Sequence, residues 1–177
     1  MRKVIIWSLF LAVFACAWAT TGKQQETASI WTYEKDAIML NFKSDRKLNL
    51  RNRKPQNLAL CVYQLKNTEA FNKLAGDEVG LRELQECEVF DLSMAEGTRI
   101  IAKPGQDVTM TIDRAEGARY VAVVAGYPTV ERGRIARLYQ IPALPEKVMF
   151  WNSRTLKPKS VRIDLILGAT QLQDPGR

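Results

Sequence analysis

The chain has 177 residues, 46% of them hydrophobic, a formal net charge of +7 and no histidine. The missing histidine removes the commonest general base and a frequent metal ligand. No G-x-S-x-G, C-x-x-C, P-loop or G-x-G-x-x-G pattern offers another chemistry. Carboxylate pairs such as Asp77/Glu78 and Glu86/Glu88 sit in polar sequence and read as solvated surface. We therefore expect no enzyme, cofactor, metal site or small-molecule substrate.

The first residues read as an export signal. Arg2 and Lys3 give a positive start, Val4 to Ala15 is apolar, and small residues follow. From Val4 to Ala19 there are sixteen residues before the polar TTGKQQET. A spanning helix needs about 20. Two cleavage instructions overlap here. Val13, Ala15 and Cys16 fit a lipobox, with Phe14 larger than usual, so that residues 1–15 leave and Cys16 takes lipid. Ala17-Trp18-Ala19 instead offers an A-x-A site whose cutting would release a free protein. Cutting before Cys16 leaves 177 − 15 = 162 residues, and losing Arg2 and Lys3 lowers the charge to +5. That suffices for one domain with a real core. A basic exported chain suits anionic lipid, polysaccharide or an acidic protein patch, and nucleic acid is not expected.

Cysteine parity favours the lipobox. Cys16, Cys61 and Cys87 make an odd number, and lipid on Cys16 leaves an even pair. Cys61 and Cys87 are then either a disulfide, worth about 3 kcal/mol in the chain-entropy model, or two buried thiols. Residues 16–30 form the lipidated N-terminus and a flexible tether, and a single domain is expected over 31–170.

In chain order, Ile38, Leu40 and Phe42 mark one face of a strand. The charged segment Ser44–Asn57 follows, where Pro55 argues against a central strand. Leu58 to Leu65 (LALCVYQL) is apolar on both faces and suits the centre of a packed sheet. A short helix is expected next, capped by Asn67 or Thr68, with Phe71 and Leu74 on one face and Gly76 ending it. The stretch from Asp77 then reads again as helix, with less pattern, to about Glu86.

Arg99 to Lys103 reads as a strand, and Pro104-Gly105 as a type II turn. Val108, Met110 and Ile112 then alternate with Asp107, Thr109, Thr111 and Asp113. Glu116-Gly117 turns into a buried strand, RYVAVVAGY. Arg134 to Ile141 is a further strand candidate. A Pro-containing connection through Leu144, Trp151 and Pro158 leads to Val161, Ile163, Leu165 and Leu167 on one side of a final strand. Residues 171–177 read as a loose tail. About seven short strands with one helical insertion predict a mainly β fold, an antiparallel β-sandwich.

This order of features resembles the TssJ (SciN, VasD) lipoproteins of type VI secretion systems. The residues that carry the likeness are Leu48-Asn49, Tyr63-Gln64-Leu65, Ala70-Phe71 with Leu74, Pro104-Gly105, and Ala118 with Tyr120 to Ala125. The chain departs from the family where Arg53-Lys54-Pro55-Gln56-Asn57 replaces a Gly-Arg-Pro-Ser-Pro loop, and where Tyr127-Pro128 replaces aromatics. The resemblance implies a transthyretin-like sandwich with a short helical insertion after the second strand. It also implies an acylated anchor in the outer membrane, periplasmic face.

Its implied partner is the periplasmic C-terminal region of TssM, and through it the TssM–TssL complex. The contact falls in the loop between the first two strands: Arg46, Lys47, Leu48, Asn49, Leu50, Arg51, Asn52, Arg53, Lys54 and Pro55. Apolar anchors inside a basic rim fit a recognition loop independently. A competing reading is an exported sandwich that binds an envelope polysaccharide through Trp31, Tyr33, Phe150 and Trp151. The plainer role of those four is core or sheet edge.

Overall fold

The computed structural model describes residues 30–147 and 154–173. The signal, Cys16, most of the tether, Phe150, Trp151 and the end of the tail lie outside the described residues. The elements in order are β1 (Glu34–Ser44), β2 (Leu58–Leu65), α1 (Glu69–Leu74), α2 (Glu78–Leu84), β3 (Met94–Ala102), β4 (Asp107–Arg114) and β5 (Tyr120–Ala125). They continue with α3 (Arg132–Ile135), β6 (Ala136–Gln140), β7 (Ala143–Lys147), β8 (Arg154–Pro158), β9 (Val161–Leu167) and β10 (Leu172–Gln173).

Two four-stranded sheets, β10-β9-β1-β4 and β3-β2-β5-β6, enclose one apolar core. Alternation selects the inward faces. Ile38, Leu40 and Phe42 of β1 and Ile163, Leu165 and Leu167 of β9 are buried, while Met39, Lys43, Arg162 and Asp164 point outward and are exposed. β2 is apolar on both faces because both are covered. One face meets the opposite sheet, and the other carries the helical insertion. There Tyr63 donates to the Leu84 carbonyl at 2.6 Å, and Cys61 is disulfide-bonded to Cys87, Cα–Cα 5.1 Å.

The insertion is two helices: the first ends before Gly76, as expected, and the less patterned stretch before Glu86 forms the second. Asp77 breaks the run by capping α2, its carboxylate accepting from the Gly80 amide at 2.8 Å. Gly80 lets α2 cross α1 closely, since a Cβ there would sit 2.2 Å from the Leu74 carbonyl oxygen. Phe71, Leu81 and Leu84 are the side chains it buries.

Four details depart from the sequence reading. The sandwich is not wholly antiparallel: β9 runs parallel to β1, Ile38 opposite Val161 through Ser44 opposite Leu167. The charged β3 begins at Met94, five residues before Arg99, because pairing with β2 extends it. The stretch expected to be a plain connection forms the β7–β8 hairpin. The tail does not begin at 171, because Leu172 is buried and pairs with Leu167 in β10.

A basic loop as candidate partner-binding site

β1 runs the length of the sandwich and separates two poles. At its start, Ile30–Tyr33 leads in from the tether. Arg114 is buried and donates to the Thr32 carbonyl at 2.9 Å. Its Nη1 lies 2.9 Å from Glu34 Oε2, an ion pair whose angles fall short of a hydrogen bond. The guanidinium carbons of Arg114 and Arg119 stand 5.8 and 5.9 Å from the Trp31 ring centre. The Gly117 amide donates to the Trp31 carbonyl. Trp31 is thus a half-buried plug between two arginines, not an open stacking platform. Tyr33 is exposed, but its hydroxyl donates to Asp113 and holds that carboxyl below its ordinary range.

At the other end of β1, eleven residues or about 36 Å away, the chain enters the loop. Asp45 organises its first turn: its carboxylate accepts from the Lys47 amide at 2.6 Å and its carbonyl from the Leu48 amide at 3.0 Å. The Leu48 side chain is fully buried in the core. Asn49 adopts φ 47°, which asparagine tolerates, and its side-chain amide donates to the Asn57 carbonyl at 2.8 Å. Two backbone bonds fasten the loop, Leu50 N–H to the Ala169 carbonyl at 2.8 Å and Gln56 N–H to the Leu48 carbonyl at 3.0 Å.

The tip closes on itself. Arg51 and Lys54 exchange both backbone hydrogen bonds, at 3.0 and 2.8 Å. Asn52 and Arg53 between them have φ 50° and 62°. Two successive left-handed residues are the pattern of a type I′ turn, normally Asn-Gly. Arginine at the second position costs about 1–2 kcal/mol relative to the right-handed region. The surrounding hydrogen bonds hold it there.

The structure therefore divides the ten expected contact residues. Leu48 and Asn49, buried to 0% and 3% exposure, are pegs and present nothing to a partner. Arg46, Lys47, Arg51, Asn52, Arg53, Lys54 and Pro55 are exposed, with Leu50 at the margin (36%). Among the described residues none of the five cations forms an ion pair, so their charge faces water undiminished. The Arg46 stem lies 3.7 Å from where a Gly105 Cβ would stand, against the Pro104-Gly105 turn, whose glycine has φ +72° as a type II turn requires.

The sequence did not reveal what seats the loop. Ala169 accepts from Leu50, and the preceding Gly168 carbonyl accepts from the buried Tyr127 hydroxyl at 2.8 Å. Burial pushes the Tyr127 pKa above the ordinary tyrosine range, and that of Tyr63 up to about 12. Tyr127 occupies one of the positions where the chain departs from the family's pattern.

Comparison with known proteins agrees with this architecture. The fold is similar to the T6SS lipoprotein TssJ1 from Pseudomonas aeruginosa (18% identity, 82% of this chain and 98% of that chain, TM-score 0.57). It is similar to Serratia marcescens Lip, a membrane-bound component of the type VI secretion system (20% identity, 77% and 94% covered, TM-score 0.56). A structure of the T6SS protein TssM C-terminal domain from EAEC also matches (14% identity, 77% and 94% covered, TM-score 0.55). No curated protein matches by sequence. The profile of the type VI secretion lipoproteins (SciN, VasD, EvfM, TssJ) matches residues 36–168. That span runs from within β1 to just past the end of β9, loop included, and the chain belongs to this family of type VI secretion lipoproteins.

Proposed function

We propose that the chain is a lipid-anchored adaptor without chemistry of its own, holding the periplasmic C-terminal region of TssM to the outer membrane. Family membership supports the secretion role. The placement of the basic tip carries the binding assignment. The tip projects from the pole opposite the one where the tether enters, with β1 as the spacer. Lipid on Cys16 would put the tether pole towards the outer membrane and the tip towards the periplasm. A TssM C-terminal domain structure and a type VI membrane complex are among the similar folds, which agrees with that setting.

A rigid loop loses little conformational entropy on binding. Its basic rim steers an acidic surface and makes association salt-sensitive. The test is capture of the immobilised TssM periplasmic region by Arg51→Glu/Arg53→Glu. We expect at least a tenfold loss of affinity with an unchanged Tm, in keeping with the cost of truncating interface anchors. Capture at wild-type affinity overturns the loop assignment. Intact mass of the membrane-extracted protein tests the anchor: cleavage before Cys16 with added acyl mass supports it, and a free N-terminus at Thr20 overturns it.

A further inference from the structure

One long edge of the sandwich stands unguarded. Each four-stranded sheet ends in two edge strands, whose outer backbone groups can template pairing with another chain. The β10 edge is only two residues long, and α3 lies against it. The β6 edge is tied to it, since the Arg137 guanidinium donates to the Leu172 carbonyl at 3.3 Å. The β3 edge exposes Arg99 and shifts its register with β2 between Gln64 and Leu65. A charge and an irregularity both blunt an edge. The β4 edge has neither between its ends. Its register with β1 runs unbroken from Asp107 opposite Lys43 to Ile112 opposite Ile38, with no proline, lysine or arginine.

Hydrogen-bond parity fixes which groups that edge presents. The Ser44 N–H donates to the Gln106 carbonyl at 2.8 Å. Bonded pairs alternate along an antiparallel ladder, so Val108, Met110 and Ile112 bond to β1. The N–H and C=O groups of Thr109 and Thr111 point the other way, and among the described residues they have no partner. Both threonine side chains are exposed, whereas Val108, Met110 and Ile112 turn towards the core and are only half-buried. Carboxylates mark the two ends. Asp107 is exposed, and Asp113 accepts from the Tyr33 hydroxyl and the Asp36 amide, which hold it ionised.

We propose that β4 is a docking edge for an extended, basic segment of a protein partner, which adds as a further strand to the β10-β9-β1-β4 sheet. Main-chain hydrogen bonds to Thr109 and Thr111 supply affinity, and alternate side chains supply specificity. The partner's inward side chains are apolar and cover Val108, Met110 and Ile112. Its outward ones are cations opposite Asp107 and Asp113, six positions apart, with β-branched residues between them. Lys43 already faces Asp107 from the β1 side, and a cation on the free side completes a row across three strands. A second copy of this chain fits less well. The two-fold that uses the whole edge passes through Met110 and sets Asp107 against Asp113 of the copy, twice. Like charges directly opposite are destabilising. The edge is separate from the basic loop, and the proposal does not rest on the loop's assignment.

The probe is the end-blocked peptide Lys-Val-Thr-Ile-Thr-Val-Lys, mixed with the membrane-extracted mature protein. Fluorescence anisotropy of labelled peptide reads affinity, and amide hydrogen exchange of the protein reads the place. We expect saturable binding that slows exchange of the Thr109 and Thr111 amides and leaves those of Arg51 and Lys54 unchanged. The same peptide with glutamate at both ends should bind about tenfold more weakly, since two cross-strand pairs turn repulsive. Asp107→Lys, at an exposed site without an ion pair among the described residues, should keep the Tm and erase most of that preference. No saturable binding overturns the proposal, and so does protection that falls elsewhere. Equal affinity for the two peptides, or a preference that survives Asp107→Lys intact, overturns it as well. A dimer that protects the same two amides without peptide would give the edge to a second copy and likewise overturn it. None of these outcomes bears on capture of TssM by the loop, which fails separately if Arg51→Glu/Arg53→Glu binds as wild type does.

Discussion

The loop at 45–57 and the hairpin at 143–158 are both basic excursions from one sandwich, yet they are attached in opposite ways. The loop sends Leu48 into the core and lays its backbone onto Ala169, so that its five cations are held facing out. The hairpin pairs its strands only with each other and leaves Leu144 and Leu156 about half exposed. Rigid display of charge suits a partner of fixed shape. Net charge alone would not tell the two regions apart. Their buried pegs do.

Removing the peg should give the largest effect. Leu48→Ala opens a cavity beneath the loop and should cost about 3 kcal/mol by urea unfolding, as fully buried leucines do. That is a large part of the stability of a domain this size. It also separates two views of the loop. If the loop works only as a carrier of charge, folded Leu48→Ala protein should capture the partner as wild type does. If its held shape matters, affinity should fall although every cation remains.

Much of this comparison was legible in the sequence, and the misses have physical causes. Alternation marked the inward faces of β1, β4 and β9, because a sandwich buries one side of each strand and period 2 records it. The doubly apolar LALCVYQL marked a covered strand, though not that its second cover is the helical insertion. Cysteine parity singled out Cys61 and Cys87, and the structure adds that they meet. Leu48 was counted among the contacts because a leucine between cations looks the same whether it points in or out. A single residue has no period. The loop's seat was invisible since Tyr127, Gly168 and Ala169 lie far along the chain from Leu50, and backbone acceptors carry no residue signature. The hairpin was missed because Pro145 and Pro158 read as breakers, whereas both strands of a two-stranded pair are edge strands, where proline is tolerated.

A smaller effect should come from that seat. Tyr127→Phe removes a buried hydrogen bond to Gly168 and should cost about 1 kcal/mol. Exchange of the Leu50 amide with solvent should quicken, since its acceptor is the next residue along. A pH dependence follows from burial. The folded state holds the Tyr127 proton more tightly than the unfolded chain does. This contribution to stability is therefore complete below the unfolded pKa of about 10 and is lost as pH rises beyond it. Tyr63, raised to about 12, behaves likewise and remains in the variant. Tyr127→Phe should then lose less stability than wild type between neutral pH and pH ~11, without becoming independent of pH. An identical alkaline loss would mean that Tyr127 is not protected by the fold.

The smallest effect belongs to the hairpin. Leu144→Ser and Leu156→Ser each remove an apolar side chain that is about half exposed (55% and 51%) and stands outside both four-stranded sheets. Changes at such sites usually move stability by no more than about 0.5 kcal/mol, so the Tm of each variant in buffer should match wild type. A drop in Tm comparable to that of Leu48→Ala would show that the hairpin is packed down like the loop. The contrast between a pegged loop and a free-standing arm would then fail. A negligible change here beside the large one at Leu48 would sharpen it, since the loop's seat and the hairpin would then differ in what each contributes to the fold.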